Sequence, residues 1–107
     1  MTAVLAIGQE HAAIVREILR RHLPPGARAF VFGSRARGGA RPYSDLDLAI
    51  ELDRPLGLDR TGEIAEAFSD SDLPFKVDLV ELSALEPGFR ARIAADLVPL
   101  PLDQEVP

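Results

Sequence analysis

The most constraining feature of this chain is a short apolar strand that runs into a glycine and a serine and is soon followed by a strand opening with two aspartates. The residues read FVFGSRARGGARPYSDLDLAIE, over 30–51. In the segment DLDLAIEL, acidic or small residues alternate with leucine and isoleucine, which is the period of a half-buried strand. The chain must therefore hold a tight turn and a pair of carboxylates close together in sequence.

Helices and further strands are interspersed along the rest of the chain. Apolar residues at helical spacing predict helices, and alternating residues predict strands. Ser83 and Glu86 have the spacing of a capping box before the last helix. The tail LVPLPLDQEVP predicts only an edge strand, because Pro99 and Pro101 cannot donate to a ladder. The predicted helices are Val4–Leu23, Asp59–Phe68 and about Pro87–Asp96, and the predicted strands are Ala27–Phe32, Asp45–Leu52 and Phe75–Leu82.

This pattern predicts a small α/β or α+β domain with two layers, in which helices pack on a small mixed sheet. The 107 residues are expected to form one domain spanning 1–107, with 47% apolar and 27% charged residues as in ordinary globular proteins. The net charge of −5 argues against an extended surface for nucleic acid. No apolar run approaches the roughly 20 residues needed to cross a bilayer, so we expect no membrane partner and a cytoplasmic protein.

The glycine–serine turn has the properties of an anion site. Gly33 lets the backbone approach a ligand, and Ser34 is expected at a helix N-cap, where free amides point outward. Arg35 and Arg37 could add forked donors for phosphate oxygens. Taken alone, the segment is more typical of an ordinary strand-to-helix connection with solvated arginines. The residues that define a P-loop or a GxGxxG dinucleotide motif are absent.

The two aspartates of the second strand indicate a divalent cation. Asp45 and Asp47 are two positions apart, so both carboxylates are expected on one face. Such like charges repel, and a hard cation such as Mg²⁺ or Mn²⁺ offsets the repulsion. A bare DxD at a strand end is more often a solvated edge.

Asp78 lies in the middle of the third predicted strand and is uninformative by itself. If that strand lies beside the Asp45–Asp47 strand, three carboxylates converge, which is enough to hold two metal ions and to accept a proton from an attacking hydroxyl. Phosphoryl-type transfer needs this arrangement. His11 and His22 make no plausible metal pair and are assigned no chemistry.

Together, the GS turn, the DLD strand and the later strand aspartate resemble the nucleotidyltransferase superfamily that includes DNA polymerase beta. The segment GSRARGGARPYSDLDLAIE is especially similar to the minimal nucleotidyltransferases of that superfamily. The resemblance covers most of the chain and implies the polymerase-beta-like fold. It implies phosphate binding by Gly33 and Ser34 and metal or catalytic roles for three aspartates. The full set of predicted site residues is Asp45, Asp47 and Asp78 for catalysis and metal, and Gly33, Ser34, Arg35, Arg37 and Ser44 for the nucleotide.

Many minimal nucleotidyltransferases are antitoxins paired with a HEPN-domain ribonuclease. The resemblance implies that they transfer AMP from ATP to a tyrosine of that toxin, with Mg²⁺ as cofactor. Two alternatives stay open. The chain could neutralise its partner by occlusion without catalysis, or it could modify a small molecule, as antibiotic-modifying relatives do.

Overall fold

The computed structural model describes residues 8–37 and 44–102, except for the Arg37 side chain. Within this part, each predicted helix and strand is present, with ends shifted by a few residues. The start of the first predicted helix, Val4–Ile7, lies outside the described residues. The elements are α1 (Gln9–His22), β1 (Arg28–Phe32), α2 (Ser34–Arg37), β2 (Leu46–Glu51), α3 (Leu58–Ser69), β3 (Val77–Glu81), a 3₁₀ turn (Leu82–Ala84), α4 (Pro87–Ala94) and β4 (Val98–Leu100).

The four strands form one mixed sheet in the order β3-β2-β1-β4. β1 is antiparallel to both β2 and β4, whereas β2 and β3 are parallel. Parallel neighbours need a crossover connection, and α3 provides it. The predicted edge strand is confirmed as β4, which contains Pro99. The α/β class with a small mixed sheet is confirmed.

One face of the sheet packs on the two longest helices. Each of these helices presents an apolar stripe, since residues three or four apart share a helix face. Sheet residues two apart contribute the opposing surface, as the strand alternation predicts. The buried residues of this core include Val15 and Leu19 from α1, Ile64 and Phe68 from α3, and Leu46, Leu48 and Ile50 from β2.

The other face of the sheet is partly covered by apolar residues, which corrects the prediction of a two-layer domain. A second cluster joins Phe32 and Ala49 of the sheet to Leu82 and to Ile93 of α4. The strand alternation places Ala49 on the same side as Asp47, and Ala49 is fully buried there. The 3₁₀ turn and α4 therefore form a partial third layer.

The prediction of a capping box at the start of α4 is wrong. Ser83 lies in the 3₁₀ turn, and Glu86 is the N-cap residue with no side-chain capping bond. The helix begins at Pro87, whose fixed φ and missing N–H suit the first helical position. Proline therefore sets this boundary.

Among the described residues, no helix has the length and apolar character that a bilayer span requires.

Candidate functional site

The predicted anion turn lies between β1 and the short helix α2. Gly33 has a φ of 76°, a left-handed conformation that favours glycine, and its carbonyl accepts a bond from the Ala36 amide at 3.1 Å. Ser34 is the first residue of α2 and not the N-cap, because Gly33 makes the turn into the helix. The first amides of a helix have no carbonyl partner within that helix, so the turn keeps its predicted potential as a donor of backbone N–H groups.

Gly33 also lies directly against Asp47. A Cβ built on Gly33 would overlap the Asp47 Oδ2 atom and would lie 3.2 Å from its Cγ. Glycine is thus favoured here for two reasons, backbone conformation and space. Its missing side chain brings the turn and a predicted catalytic carboxylate into contact.

The register of the parallel strands brings two predicted site residues together. Asp47 of β2 is the register partner of Asp78 of β3. Register partners on adjacent strands point to the same face, so both carboxylates lie on the face of the second apolar cluster. The start of this pairing is fixed by the Leu46 amide, which donates to the Lys76 carbonyl at 2.8 Å.

The third predicted aspartate, Asp45, is two positions before Asp47 in sequence. Asp45 comes immediately before β2 and is exposed. The Asp78 side chain is 47% exposed, and its Oδ1 lies 3.9 Å from Lys76 Nζ. Within residues 8–37 and 44–102, no three His, Cys, Asp or Glu side chains are grouped closely enough to hold a metal ion. The donor chemistry nevertheless fits a hard cation, since carboxylate oxygens are the ligands that Mg²⁺ prefers.

Arg35 lies in an environment that the sequence does not predict. Its side chain is buried, with 4% exposure, and it donates from Nε and Nη2 to the Ser44 carbonyl at 3.1 and 2.8 Å. Its guanidinium carbon is 4.1 Å from the centroid of the Phe75 ring. Burial lowers the pKa of Arg35, because the charged form loses hydration. These contacts differ from the predicted phosphate contact. Arginine is usually exposed, and no local pattern links Arg35 to the distant Phe75.

The remaining predicted nucleotide residues are placed less fully. Ser44 is half-buried next to Asp45. The Arg37 side chain lies outside the described part, so its phosphate contact stays a prediction. His11 packs its ring edge-on against Phe75, with centroids 5.4 Å apart, which is a packing contact that the sequence does not predict.

The chain matches known proteins in its sequence and in its fold. Residues 12–100 match the family model described as the nucleotidyltransferase domain. The chain belongs to the nucleotidyltransferase family. The predicted fold family and enzyme class are therefore confirmed.

Individual nucleotidyltransferase relatives agree with this assignment. The chain is 46% identical over 88 residues to a probable protein adenylyltransferase, MntA, of Haemophilus influenzae, covering 82% of this chain and 76% of that protein. A crystal structure of a toxin–antitoxin with AMP-PNP superposes with a TM-score of 0.72 at 25% identity, covering 87% of this chain and 74% of the other. A solved minimal nucleotidyltransferase gives a TM-score of 0.65 at 32% identity, covering 85% and 90% of the two chains.

Proposed function

We propose that this nucleotidyltransferase is a Mg²⁺-dependent antitoxin that transfers AMP from ATP to a tyrosine of a HEPN-domain ribonuclease toxin in the cytoplasm. The observation that carries the proposal is the contact of the Gly33 turn with Asp47, whose strand partner is Asp78. A donor-rich turn beside paired carboxylates is the arrangement that phosphoryl-type transfer uses. The similarity to a protein adenylyltransferase and to a toxin–antitoxin structure with a nucleotide analogue supports the choice of ATP and of a protein acceptor.

Every predicted site residue except Arg35 has a direct role in this proposal. The backbone amides of Gly33 and Ser34 would bind the phosphates, with Arg37 and Ser44 beside them. Asp45, Asp47 and Asp78 would hold one or two divalent ions, with Mn²⁺ as a substitute for Mg²⁺. The metal would neutralise charge on the triphosphate and on the leaving group.

The proposed chemical step is an in-line substitution at the α-phosphorus of ATP. The tyrosine oxygen of the toxin forms a bond to this phosphorus, while the bond to the bridging oxygen of the β-phosphate breaks. Pyrophosphate leaves with the electron pair of that bond. A carboxylate of the site, for which Asp78 is our candidate, accepts the phenolic proton.

The decisive experiment is a transfer reaction with purified components. The chain is incubated with ATP, Mg²⁺ and the protein that the adjacent gene encodes, and that protein is then weighed by mass spectrometry. We expect the toxin to gain the mass of one or more AMP groups on tyrosine. No added nucleotide with either Mg²⁺ or Mn²⁺ would contradict the proposal.

Variants identify the residues involved. Asp45→Ala and Asp47→Ala should abolish transfer and leave the protein folded. Asp53→Ala is the matched control, since Asp53 is an exposed aspartate after the far end of β2, with its Oδ1 3.6 Å from Arg54 Nε. This variant should transfer AMP at the wild-type rate.

The same variants distinguish the two alternative functions. If Asp45→Ala still protects cells fully against the toxin, neutralisation occurs by occlusion and not by modification. If the wild-type chain consumes ATP only when a small-molecule acceptor is supplied, the protein acceptor is wrong.

A further inference from the structure

Arg35 is the one charged side chain that is buried among the described residues. Removing a guanidinium from water is unfavourable unless strong partners replace the water. The Ser44 carbonyl is one such partner, because it accepts hydrogen bonds from Nε at 3.1 Å and from Nη2 at 2.8 Å. Bonds from a charged donor are stronger than those between neutral groups.

The second partner of Arg35 is an aromatic ring. The guanidinium lies 4.1 Å from the centroid of Phe75, within the range of a cation–π contact, and Phe75 is itself buried. Such contacts gain strength when water is excluded. Lysine is a poor substitute, because its ammonium lacks both the planar fork and the flat stacking surface.

Arg35 and its two partners lie in or next to the three segments that carry the proposed catalytic and phosphate-binding residues. Arg35 itself follows Ser34 in the anion turn, and Ser44 immediately precedes Asp45. Phe75 comes shortly before Asp78 on the segment that leads into β3. One side chain therefore connects the turn, the start of the DLD strand and the start of the neighbouring strand.

We propose that Arg35 is a positioning residue, which fixes Asp45 and the anion turn relative to β3 through the Ser44 carbonyl and the Phe75 ring and does not itself bind the triphosphate. This inference rests on the proposed transfer activity. It replaces the phosphate contact that the sequence predicts for Arg35. The carboxylates Asp45 and Asp78 then owe their mutual placement to the Arg35 guanidinium, which contacts a residue that precedes each of them in the chain.

The test uses four variants of the full chain. Arg35→Lys keeps the charge and removes the fork, and Arg35→Met removes both. Phe75→Leu removes the ring contact and keeps the bonds to Ser44. His11→Ala is the matched control, because His11 contacts the same ring from α1, away from the three segments. The free energy of unfolding is measured for each variant. If Arg35→Met does not fold, the functional measurements are made on Arg35→Lys alone.

Two functional measurements separate positioning from phosphate binding. The first is AMP transfer, analysed as kcat, KM for ATP, and the Mn²⁺ concentration that gives half the maximal rate. The second is binding of Mn²⁺ alone, without nucleotide, followed by electron paramagnetic resonance. For Arg35→Lys we expect kcat and Mn²⁺ affinity to fall about tenfold, the effect typical of groups that orient metal ligands. KM for ATP at saturating Mn²⁺ should change by less than about twofold, since uniform substrate binding is kept.

Phe75→Leu should change the same quantities in the same direction by a smaller factor, and His11→Ala should lower stability only. A rise in KM for ATP with unchanged Mn²⁺ affinity would show direct phosphate binding and would overturn the inference. Lower stability with unchanged kcat and Mn²⁺ affinity would show a structural role only and would also overturn it.

The Mn²⁺ measurement keeps this inference separable from the proposed function. If the wild-type protein transfers no AMP but binds Mn²⁺ more tightly than Arg35→Lys does, the proposed function fails and the positioning role stands. If the wild-type protein transfers AMP and Arg35→Lys equals it in both measurements, the positioning role alone fails. If the wild-type protein neither transfers AMP nor binds Mn²⁺, both fail.

Discussion

The two ends of the antiparallel β1–β2 pair differ in their charges: one end pairs opposite charges across neighbouring strands, and the other pairs like charges. At the end where β1 begins, Arg28 is the register partner of Glu51 and forms an ion pair with it. Next to this pair, Glu81 accepts a hydrogen bond from the Leu56 amide at 2.9 Å. At the other end, the register partners across β2 and β3 are Asp47 and Asp78, two groups of like charge.

A contribution to stability explains the opposite charges of Arg28 and Glu51 but does not explain the like charges of Asp47 and Asp78. Opposite charges on neighbouring strands contribute a few tenths to about 1 kcal/mol, and like charges directly opposite destabilise. Violations of such local rules are expected at functional sites. The aspartate end therefore has a pairing of like charges that suits a bound cation, whereas the Arg28–Glu51 end pairs opposite charges.

The largest expected difference between the two ends is in the rate of AMP transfer after one acid at each end is neutralised. Asp47→Asn should lower the rate of AMP transfer about a thousandfold, because metal-held charge stabilisation contributes several kcal/mol. Glu51→Gln should transfer AMP within about twofold of wild type, since a surface ion pair contributes little. Initial rates of radiolabel transfer from ATP measure both. Equal losses in the two variants would remove the distinction between the ends.

A second comparison uses one glycine from each end. Gly26 and Gly33 both have positive φ, but nothing lies within 4 Å of a Cβ built on Gly26. Gly26→Ala should cost only the backbone strain of about 1–2 kcal/mol. Gly33→Ala should cost about 1–3 kcal/mol more, because the methyl group overlaps Asp47.

Urea unfolding measures the difference between these glycine variants, and the transfer assay provides the functional readout. The Gly26→Ala protein should keep its activity at temperatures where it is folded. Equal costs for the two variants would mean that Asp47 moves away readily, and the close contact would then not define the site.

Metal binding should stabilise only proteins with an intact aspartate end. At about 100 times the dissociation constant, Mn²⁺ should raise the free energy of unfolding by about 2.7 kcal/mol. The rise should occur in the wild-type and Glu51→Gln proteins and disappear in Asp47→Asn. Thermal unfolding at several Mn²⁺ concentrations measures it, and stabilisation of Asp47→Asn to the same extent would locate the ion elsewhere.

The smallest expected effect concerns the ion pair itself. A double-mutant cycle with Arg28→Ala and Glu51→Gln should give a coupling energy of about 0.2–1 kcal/mol. The coupling should decrease in 1 M salt, because both groups reach solvent and are screened. A coupling that salt does not change would mean that the pair is less accessible than its exposure indicates.

The sequence predicts the elements of this fold well and their partners poorly. Strand alternation identifies β2 and β3 because one face of each strand packs on the same helices. The parallel pairing of Asp47 with Asp78 depends on how α3 returns the chain to the sheet, and no local pattern specifies this. The sequence predicts convergence of the three aspartates only if the two strands are neighbours, and the register of these neighbouring strands brings two of the three together.

Arg35 shows the clearest limit of the sequence. Its position beside a glycine–serine turn favours a solvent-facing phosphate ligand, since arginine is seldom buried. Its burial follows from Phe75 and Ser44, which reach it only after the sheet has formed. The misassigned capping box at Ser83 has a local cause, because the proline at Pro87 sets the helix start more strongly than the serine.

The edge positions of β3 and β4 limit how another chain can join this sheet. Pro99 removes a hydrogen-bond donor from β4, so strand addition there is impaired. The opposite edge is β3, which carries Asp78. A chain that extended the sheet at β3 would lay its own side chains beside this carboxylate, so recruitment by strand addition would compete with nucleotide for the same space.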